Sequence, residues 1–407
     1  MDSKDGIKVL FFDHSSELGG AEIALLQSLP RMSRVAPVLL CGANGAFSKS
    51  AIDSGIETEV CGGAPTNVGL GGGSGLTFAI GLFQSIWSAI RMISALTGNI
   101  RRVRPEILYC NTLRAGFLGG PVARLCGIAV VWHVRDTLAP PYLPRATAWC
   151  ARALIRMTAS VVVANSEFTA GFLGDMHPRV VGSPISDVFY KKRHIGPVTG
   201  TRFVMVGRLA AWKGQLEAIR AFAFAFPNGQ AQFRIFGAPL FGQEAYAERL
   251  ADEIARLGMT GRIELRGHSD DIAGEMAVAT AVVHASVMPE PLGQVTVQAA
   301  AVGAPLIVAD GGWPGLAFDD FETARFHIPG DVGSLAEAMS WINECPTEAK
   351  EMADRGRAIA ESYRAETITR QMEDLLIECS GHAPTVSQDC QPELSIEIDS
   401  ASREGGS

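Results

Sequence analysis

Residues 203–214 read FVMVGRLAAWKG. The apolar run Phe203 to Val206 stops at Gly207-Arg208, and Lys213-Gly214 leads into Gln215 to Phe224, where apolar residues recur at helical spacing. An apolar run of strand length, a glycine turn and a helix make one βα unit of a parallel sheet. Just upstream, SDVFYKKRHIGPVTG (Ser186–Gly200) is polar and punctuated by Pro and Gly, as a connection between domains is. A second domain therefore starts near residue 201.

The same rhythm extends both ways from this unit. Downstream, strands are expected at Gln232 to Phe236, Arg262 to Arg266, Ala281 to His284 and Pro305 to Val308, with a helix at Ala245 to Leu257. Upstream they are expected at Ile7 to Phe12, Val35 to Cys41, Glu106 to Cys110, Ala129 to Val134 and Ser160 to Ala164, with a helix after Gly20. The fold class is α/β, as two tandem Rossmann-like doubly wound domains facing each other across a cleft. The expected divisions are a first domain at 1–186, a linker at 187–200 and a second domain at 201–362. A C-terminal helix that can return to the first domain follows at 363–380, then a disordered tail at 381–407 without aromatic residues.

Composition agrees with that plan. A chain of 407 residues suits two cores better than one, and 47% hydrophobic against 19% charged residues excludes wholesale disorder and a coiled coil. A net charge of -8 argues against a protein that wraps nucleic acid. The eight cysteines form no CxxC pair, which fits a reducing cytosol. MDSKDGIKVLFF lacks the basic start and long apolar run of a secretory signal, and the stretch Val60 to Ile90 is interrupted by Gln84, Ser85 and Ser88, so no spanning helix is expected.

In open α/β sheets ligands bind outside the carboxyl ends of the strands. That rule selects Gly19-Gly20-Ala21-Glu22, His133 to Asp136, Gly207 to Gly214, His268 and Ser286 to Gln298. Arg208 and Lys213 bring two cations and a helix N-terminus to one strand end, an arrangement suited to a diphosphate. An isolated Arg or Lys would more simply pair with a carboxylate or point to solvent. At Pro289-Glu290-Pro291-Leu292-Gly293 a second helix begins, Gly293 leaving room for backbone amides to approach an anion. Glu290 at the loop tip would accept from hydroxyls, and Gln298 farther along the helix offers both donor and acceptor; a capping carboxylate and a surface amide are the bland alternatives. Neither loop has the P-loop pattern, and GLGGGSG (Gly69–Gly75) fails GxGxxG at Ser74, which weakens kinase and dehydrogenase readings.

Together GGAE (Gly19–Glu22), WHVRD (Trp132–Asp136), VGRLAAWKG (Val206–Gly214) and PEPLGQVTVQAAAVGAPLIVAD (Pro289–Asp310) resemble, in order and separation, the retaining glycosyltransferases of family 4 (group 1) with the GT-B fold. The resemblance implies that Arg208 and Lys213 neutralise the diphosphate of a nucleotide-sugar donor, and that Glu290 contacts hydroxyls of the transferred sugar. It further implies that backbone amides near Leu292 and Gly293, just after Pro291 in the same donor-binding loop, help hold phosphate, and that position 298 contacts the ribose. His133 would lie near the anomeric centre, and Gly19 and Gly20 near the phosphates and acceptor. Glu22 reads as a helix N-terminal carboxylate. The family spacing is Glu, seven residues, Glu; here the second is Gln298, a neutral and weaker acceptor. Base contacts are expected from loops near Gly237 and His268.

No cofactor is expected, and the scheme requires no metal, since two cations and helix dipoles stabilise the leaving group and no Asp-x-Asp pair is present. The helix Leu76 to Leu96, followed by Arg101, Arg102 and Arg104, is read either as a core helix or as a membrane-surface contact. On the second reading the protein sits at the inner face of the cell membrane and its acceptor is lipid-linked, as in surface-polysaccharide assembly. Two alternatives stay open: a GT-B nucleotide-sugar epimerase, and a non-catalytic nucleotide-sugar-binding scaffold.

Overall fold

The computed structural model describes residues 6–61, 76–239 and 242–381, the side chains of 76–89 excepted. The Gly-rich stretch Gly69–Gly75, the tail beyond Gly381 and most side chains of the apolar helix lie outside the described residues.

Two sheets, each parallel throughout, organise the chain. The first has seven strands: β1 (Ile7–Asp13), β2 (Val35–Cys41), β3 (Thr58–Val60), β4 (Ile107–Cys110), β5 (Ala129–Val134), β6 (Val161–Ala164) and β7 (Arg179–Val180), in the order β3-β2-β1-β4-β5-β6-β7. The second has six: β8 (Arg202–Val206), β9 (Gln232–Phe236), β10 (Ile263–Gly267), β11 (Ala281–His284), β12 (Leu306–Ala309) and β13 (Arg325–His327), in the order β10-β9-β8-β11-β12-β13. Each sheet is covered on both faces, so central strands such as β1, β4 and β11 are apolar almost without interruption rather than alternating. In each the strand order reverses once, between β1 and β4 and between β8 and β11. The gap there, at the carboxyl ends of the strands, is where a doubly wound sheet opens to ligand.

The strands predicted from apolar runs are found to within a residue or so. Those not predicted, β3, β7 and β13, are all sheet-edge strands of two or three residues, half-buried or exposed along most of their length. An edge strand lacks one neighbour and one reason to be apolar.

Two segments tie the halves together. Within the polar stretch 187–200, the helix Asp187–Lys191 buries Phe189 and Tyr190 in the core of the second domain, and Ile195 N–H donates to Ala277 O. The helix Ala365–Cys379 crosses back and packs Ile368, Met372, Leu375 and Leu376 into the first domain's core beside Phe11 and Tyr109. Glu373 anchors it, accepting from the backbone N–H of Ser33 (2.7 Å) and Arg34 (2.6 Å). No helix among the described residues is long and apolar enough to cross a membrane.

Candidate active site in the interdomain cleft

After β8 the chain turns through Gly207-Arg208, makes one 3₁₀ turn at Ala211–Lys213 and enters the helix Gln215–Ala225. Gly214 carries φ +75°, and a Cβ there would lie 1.9 Å from Ala285 O, so only glycine lets this loop close against the end of β11. That closure sets Lys213 Nζ 2.6 Å from Glu290 Oε1. The same oxygen accepts from His284 Nε2 at 3.1 Å and from the Ser286 hydroxyl. Ala309 N–H points at His284 Nδ1 (3.4 Å), which directs Nε2–H towards the carboxylate. Burial alone would raise the Glu290 carboxyl, but the Lys213 ammonium and then His284 overcome it and hold the group well below the usual carboxylate range. Glu290 is therefore an anion locked in place.

Arg208 and Lys213 both approach the Trp212 ring, at 5.9 and 4.4 Å from its centroid. Gln215 Nε2 donates to Arg208 O (2.9 Å) and so fixes the backbone that carries the arginine. Leu292 is buried, and Gly293, φ +63°, opens the helix Gln294–Val302 against Pro314 and His284. Gln298 is half-buried one turn along that helix, and Pro291 O accepts from the Ser166 hydroxyl of the first domain. Trp313 Nε1 donates to Glu167 at 3.0 Å, a second contact between the halves.

The first domain answers from the ends of β1, β4 and β5. Gly19 is the N-cap of the helix that begins at Gly20, and Gln294 Nε2 reaches Gly20 O at 3.5 Å, so this turn faces the N-terminus of Gln294–Val302. Glu22 Oε2 accepts from Gly19 N–H (2.9 Å), the helix-capping role read from the sequence. Its carboxyl is pushed up to about 7, first by burial and then by the Asp13 carboxylate beside it. Asn111 Nδ2 donates to Asp13 Oδ2 (2.7 Å), while Asn111 Oδ1 accepts from Arg135 Nη2 (2.8 Å), a polar chain beneath the cleft floor.

Two residues stand apart from the group. His133, expected at the anomeric centre, is 1% exposed. Both faces of β5 are packed, so it is buried there, with Nδ1 sharing a 2.5 Å hydrogen bond with the Tyr109 hydroxyl and Nε2 left without a partner among the described residues. Burial, then Arg135, hold its imidazole well below its usual value, hence neutral. His268 is solvent-exposed at the end of edge strand β10, with Asp270 at 3.3 Å.

The sequence reading missed His284, Asp13 and Asn111, and gave Trp212, inside the selected segment Gly207 to Gly214, no role of its own. His284 had a legible signal, a polar residue closing an otherwise apolar strand; Asp13 and Asn111 become partners only in the fold. Among the described residues no group of three or more His, Cys, Asp or Glu is placed to hold a metal ion. The cleft thus presents two cations, one fixed carboxylate and a helix N-terminus opposite a glycine loop, a set suited to an anion bearing hydroxyls.

Residues 189–359 match the family model described as glycosyl transferases group 1. An exopolysaccharide phosphotransferase of Streptomyces coelicolor is 30% identical over 210 residues, 51% of this chain but only 21% of that protein. Thus the chain matches about a fifth of that relative's length. Among solved structures, Anabaena HepE in complex with UDP-glucose is 25% identical, with a TM-score of 0.77 over 91% of this chain and 100% of that one. Its complex with UDP and glucose is 26% identical, with a TM-score of 0.76 over 91% and 99%. Sucrose-phosphate synthase of Thermosynechococcus elongatus, 16% identical with a TM-score of 0.75 over 93% and 100%, shares the fold.

Proposed function

The chain carries a glycosyl transferases group 1 domain at residues 189–359 of a GT-B scaffold, and from that premise we propose that it moves a sugar from a nucleotide-diphosphate sugar to a glycan or lipid-linked acceptor with retention of anomeric configuration. The observation that carries the reading is the ordered set Arg208, Lys213 and Glu290 facing Gly19-Gly20 across the cleft. HepE, alike along its whole length, is a protein solved with UDP-glucose, which supports a nucleotide-sugar donor here.

In this scheme Arg208 and Lys213 donate to the diphosphate oxygens, and the backbone amides around Leu292 and Gly293 add the positive end of a helix. These charges stabilise the nucleoside diphosphate as the glycosidic bond breaks, the step where negative charge develops. Glu290 accepts from hydroxyls of the transferred sugar and holds the ring in register. The departing phosphate oxygen takes the proton of the acceptor hydroxyl, which attacks on the same face, so configuration is retained without a separate base. The side-chain cations do the electrostatic work that a divalent ion would otherwise do, hence a metal-independent reaction. Gln298 meets the ribose, the loops at Gly237 and His268 meet the base, and His133, whose buried Nε2 has no partner among the described residues, lies near the anomeric centre. The exopolysaccharide relative supports a role in surface polysaccharide or glycoconjugate assembly; work from the cytosol, with peripheral contact at the inner face of the cell membrane, is part of the same proposal.

Thermal unfolding of the full chain with UDP, GDP, ADP, CMP and NAD tests the donor site. A ligand at about 100 times its Kd stabilises by roughly 2.7 kcal/mol. One nucleoside diphosphate is expected to raise Tm, and Arg208→Ala/Lys213→Ala to abolish the rise. A rise of equal size in the double variant would remove the reading.

A further inference from the structure

The main chain and the side chain of Glu290 are held separately. Gly312, at φ +68° in the loop after β12, lies so close to Glu290 that a Cβ there would come within 2.4 Å of its backbone N and O, and Trp313 N–H donates to Glu290 O at 2.9 Å. The side chain is tied through one oxygen only. Lys213, His284 and Ser286 all donate to Oε1. Among the described residues none donates to Oε2, and that atom, unlike the buried Nε2 of His133, is not sealed from water. The carboxylate is thus turned so that one oxygen is fixed and the other is offered to the cleft.

The three ties on Oε1 are not equivalent. Lys213 comes from another loop, its side chain is 17% exposed, and it is the cation that a diphosphate engages in the reading above. An anion arriving at the ammonium divides its attraction between two partners, so this tie slackens when the donor binds. Ser286 offers a neutral hydroxyl. His284 is 3% exposed at the end of β11, out of reach of a ligand. Its ring is set from the neighbouring strand end: Ala309 N–H points at Nδ1 (3.4 Å), which leaves the proton on Nε2, the atom 3.1 Å from Oε1. His327 Nε2 reaches the backbone O of the same residue at 3.1 Å. The ring also lies under the far end of the turn, since a Cβ at Gly293 would stand 3.6 Å from His284 Nε2.

We propose that His284 is a positioning residue: it keeps Oε1 of Glu290 tied when the donor diphosphate draws on Lys213, and so presents Oε2 to a hydroxyl of the transferred sugar. This rests on the glycosyltransferase reading above. His284 touches no substrate; it acts through Glu290, and its effect falls on the sugar half of the donor rather than on the diphosphate half. A residue that merely stabilised the turn from Glu290 to Gly293 would affect both halves alike.

Isothermal titration of the full chain compares the nucleoside diphosphate that raises its Tm with the tightest sugar nucleotide of the same base, drawn from UDP-glucose, UDP-galactose, UDP-N-acetylglucosamine, GDP-mannose and ADP-glucose. His284→Leu removes the N–H donor and is expected to weaken the sugar nucleotide about tenfold, the worth of a hydrogen bond to a charged group, and the bare diphosphate by no more than about twofold. His284→Gln returns an N–H donor and should recover most of the loss. Equal weakening of both ligands, or of neither, overturns the proposal, as does a folded glutamine variant that binds sugar nucleotide no better than the leucine one. Histidine ¹⁵N NMR of the unaltered protein tests it without any substitution: saturation with the diphosphate should leave the proton of His284 on Nε2 and move its resonance downfield, and a proton on Nδ1 or an unmoved resonance would also overturn it. Failure of every nucleotide to bind the unaltered protein would instead bring down the donor reading, and this proposal with it.

Discussion

Glu290→Gln changes the charge at the centre of the cleft and almost nothing in its shape. Oε1 of Glu290 accepts from Lys213 (2.6 Å), His284 (3.1 Å) and Ser286, and the substituted amide oxygen can still accept from them. It does so as a neutral group, and hydrogen bonds to a neutral acceptor are about half as strong. The larger effect falls on Lys213, whose side chain is 17% exposed and loses its counter-ion. Breaking one side of a buried ion pair costs about 3–5 kcal/mol, and the partial access of Lys213 to water places the expectation at the lower end, about 3 kcal/mol. The carboxyl is held below its ordinary 4.5 in the fold, so its contribution is present above pH 4.5 and lost as pH falls through the folded value. The stability gap between the two proteins should therefore narrow on acidification below pH 4.5. A bound diphosphate would restore a negative partner to Lys213. In the variant it does so without competition from Glu290, so UDP, or whichever diphosphate binds, should bind about tenfold more tightly, a gain of about 1.4 kcal/mol, while sugar transfer falls. Urea unfolding at pH 7 and pH 4, with and without nucleotide, measures stability and binding, and a turnover assay with the nucleotide sugar measures transfer. A variant as stable as the original protein, or one that nucleotide stabilises less, would refute the account.

Two further substitutions probe the supports of the site. Gly214→Ala puts a methyl group into Ala285 O at a φ of +75°, and should cost at least about 2 kcal/mol in urea unfolding while weakening nucleotide binding through displacement of Lys213; a variant of unchanged stability would contradict the close approach. Glu22 titrates at about 7 in the fold against 4.5 unfolded, so the fold loses stability as pH rises between those values. Glu22→Gln should consequently be more stable than the unaltered protein at pH 8 by up to about 3 kcal/mol and hold no such advantage at pH 4, and equal stability at pH 8 would count against a buried charge there.

Much of the second domain's share of the site was legible, because it lies in continuous motifs. Gly207 to Gly214 and Glu290 to Gly293 each follow a strand, and a strand end in a doubly wound sheet is where a ligand binds. The first domain's share was less so. Gly19, Gly20 and Glu22 follow β1 and were found. His133 was read from its place at a strand end; both faces of β5 are packed, and how far the last side chains of such a strand are covered depends on neighbours such as Tyr109 that only the fold supplies. Asp13 ends β1 and Asn111 follows β4, 98 residues away, and the two become partners only because those strands are neighbours.

Sequence alone determined the class of fold, its two parallel sheets and the place of the cation loop after a strand, since all three follow from local order: apolar runs of strand length, helical spacing between them, and glycines where a chain must turn against a neighbour. It also carried the substitution Gln298, a local fact that no fold alters. Tertiary structure decided which charges meet. Lys213 and Glu290 are 77 residues apart, and their 2.6 Å contact depends on β8 pairing with β11, on Gly214 closing against Ala285, and on a buried place where His284 and Ser286 converge on one oxygen. The electrostatics of a buried group depend on everything packed around it, and packing is the property that one-dimensional order encodes least directly.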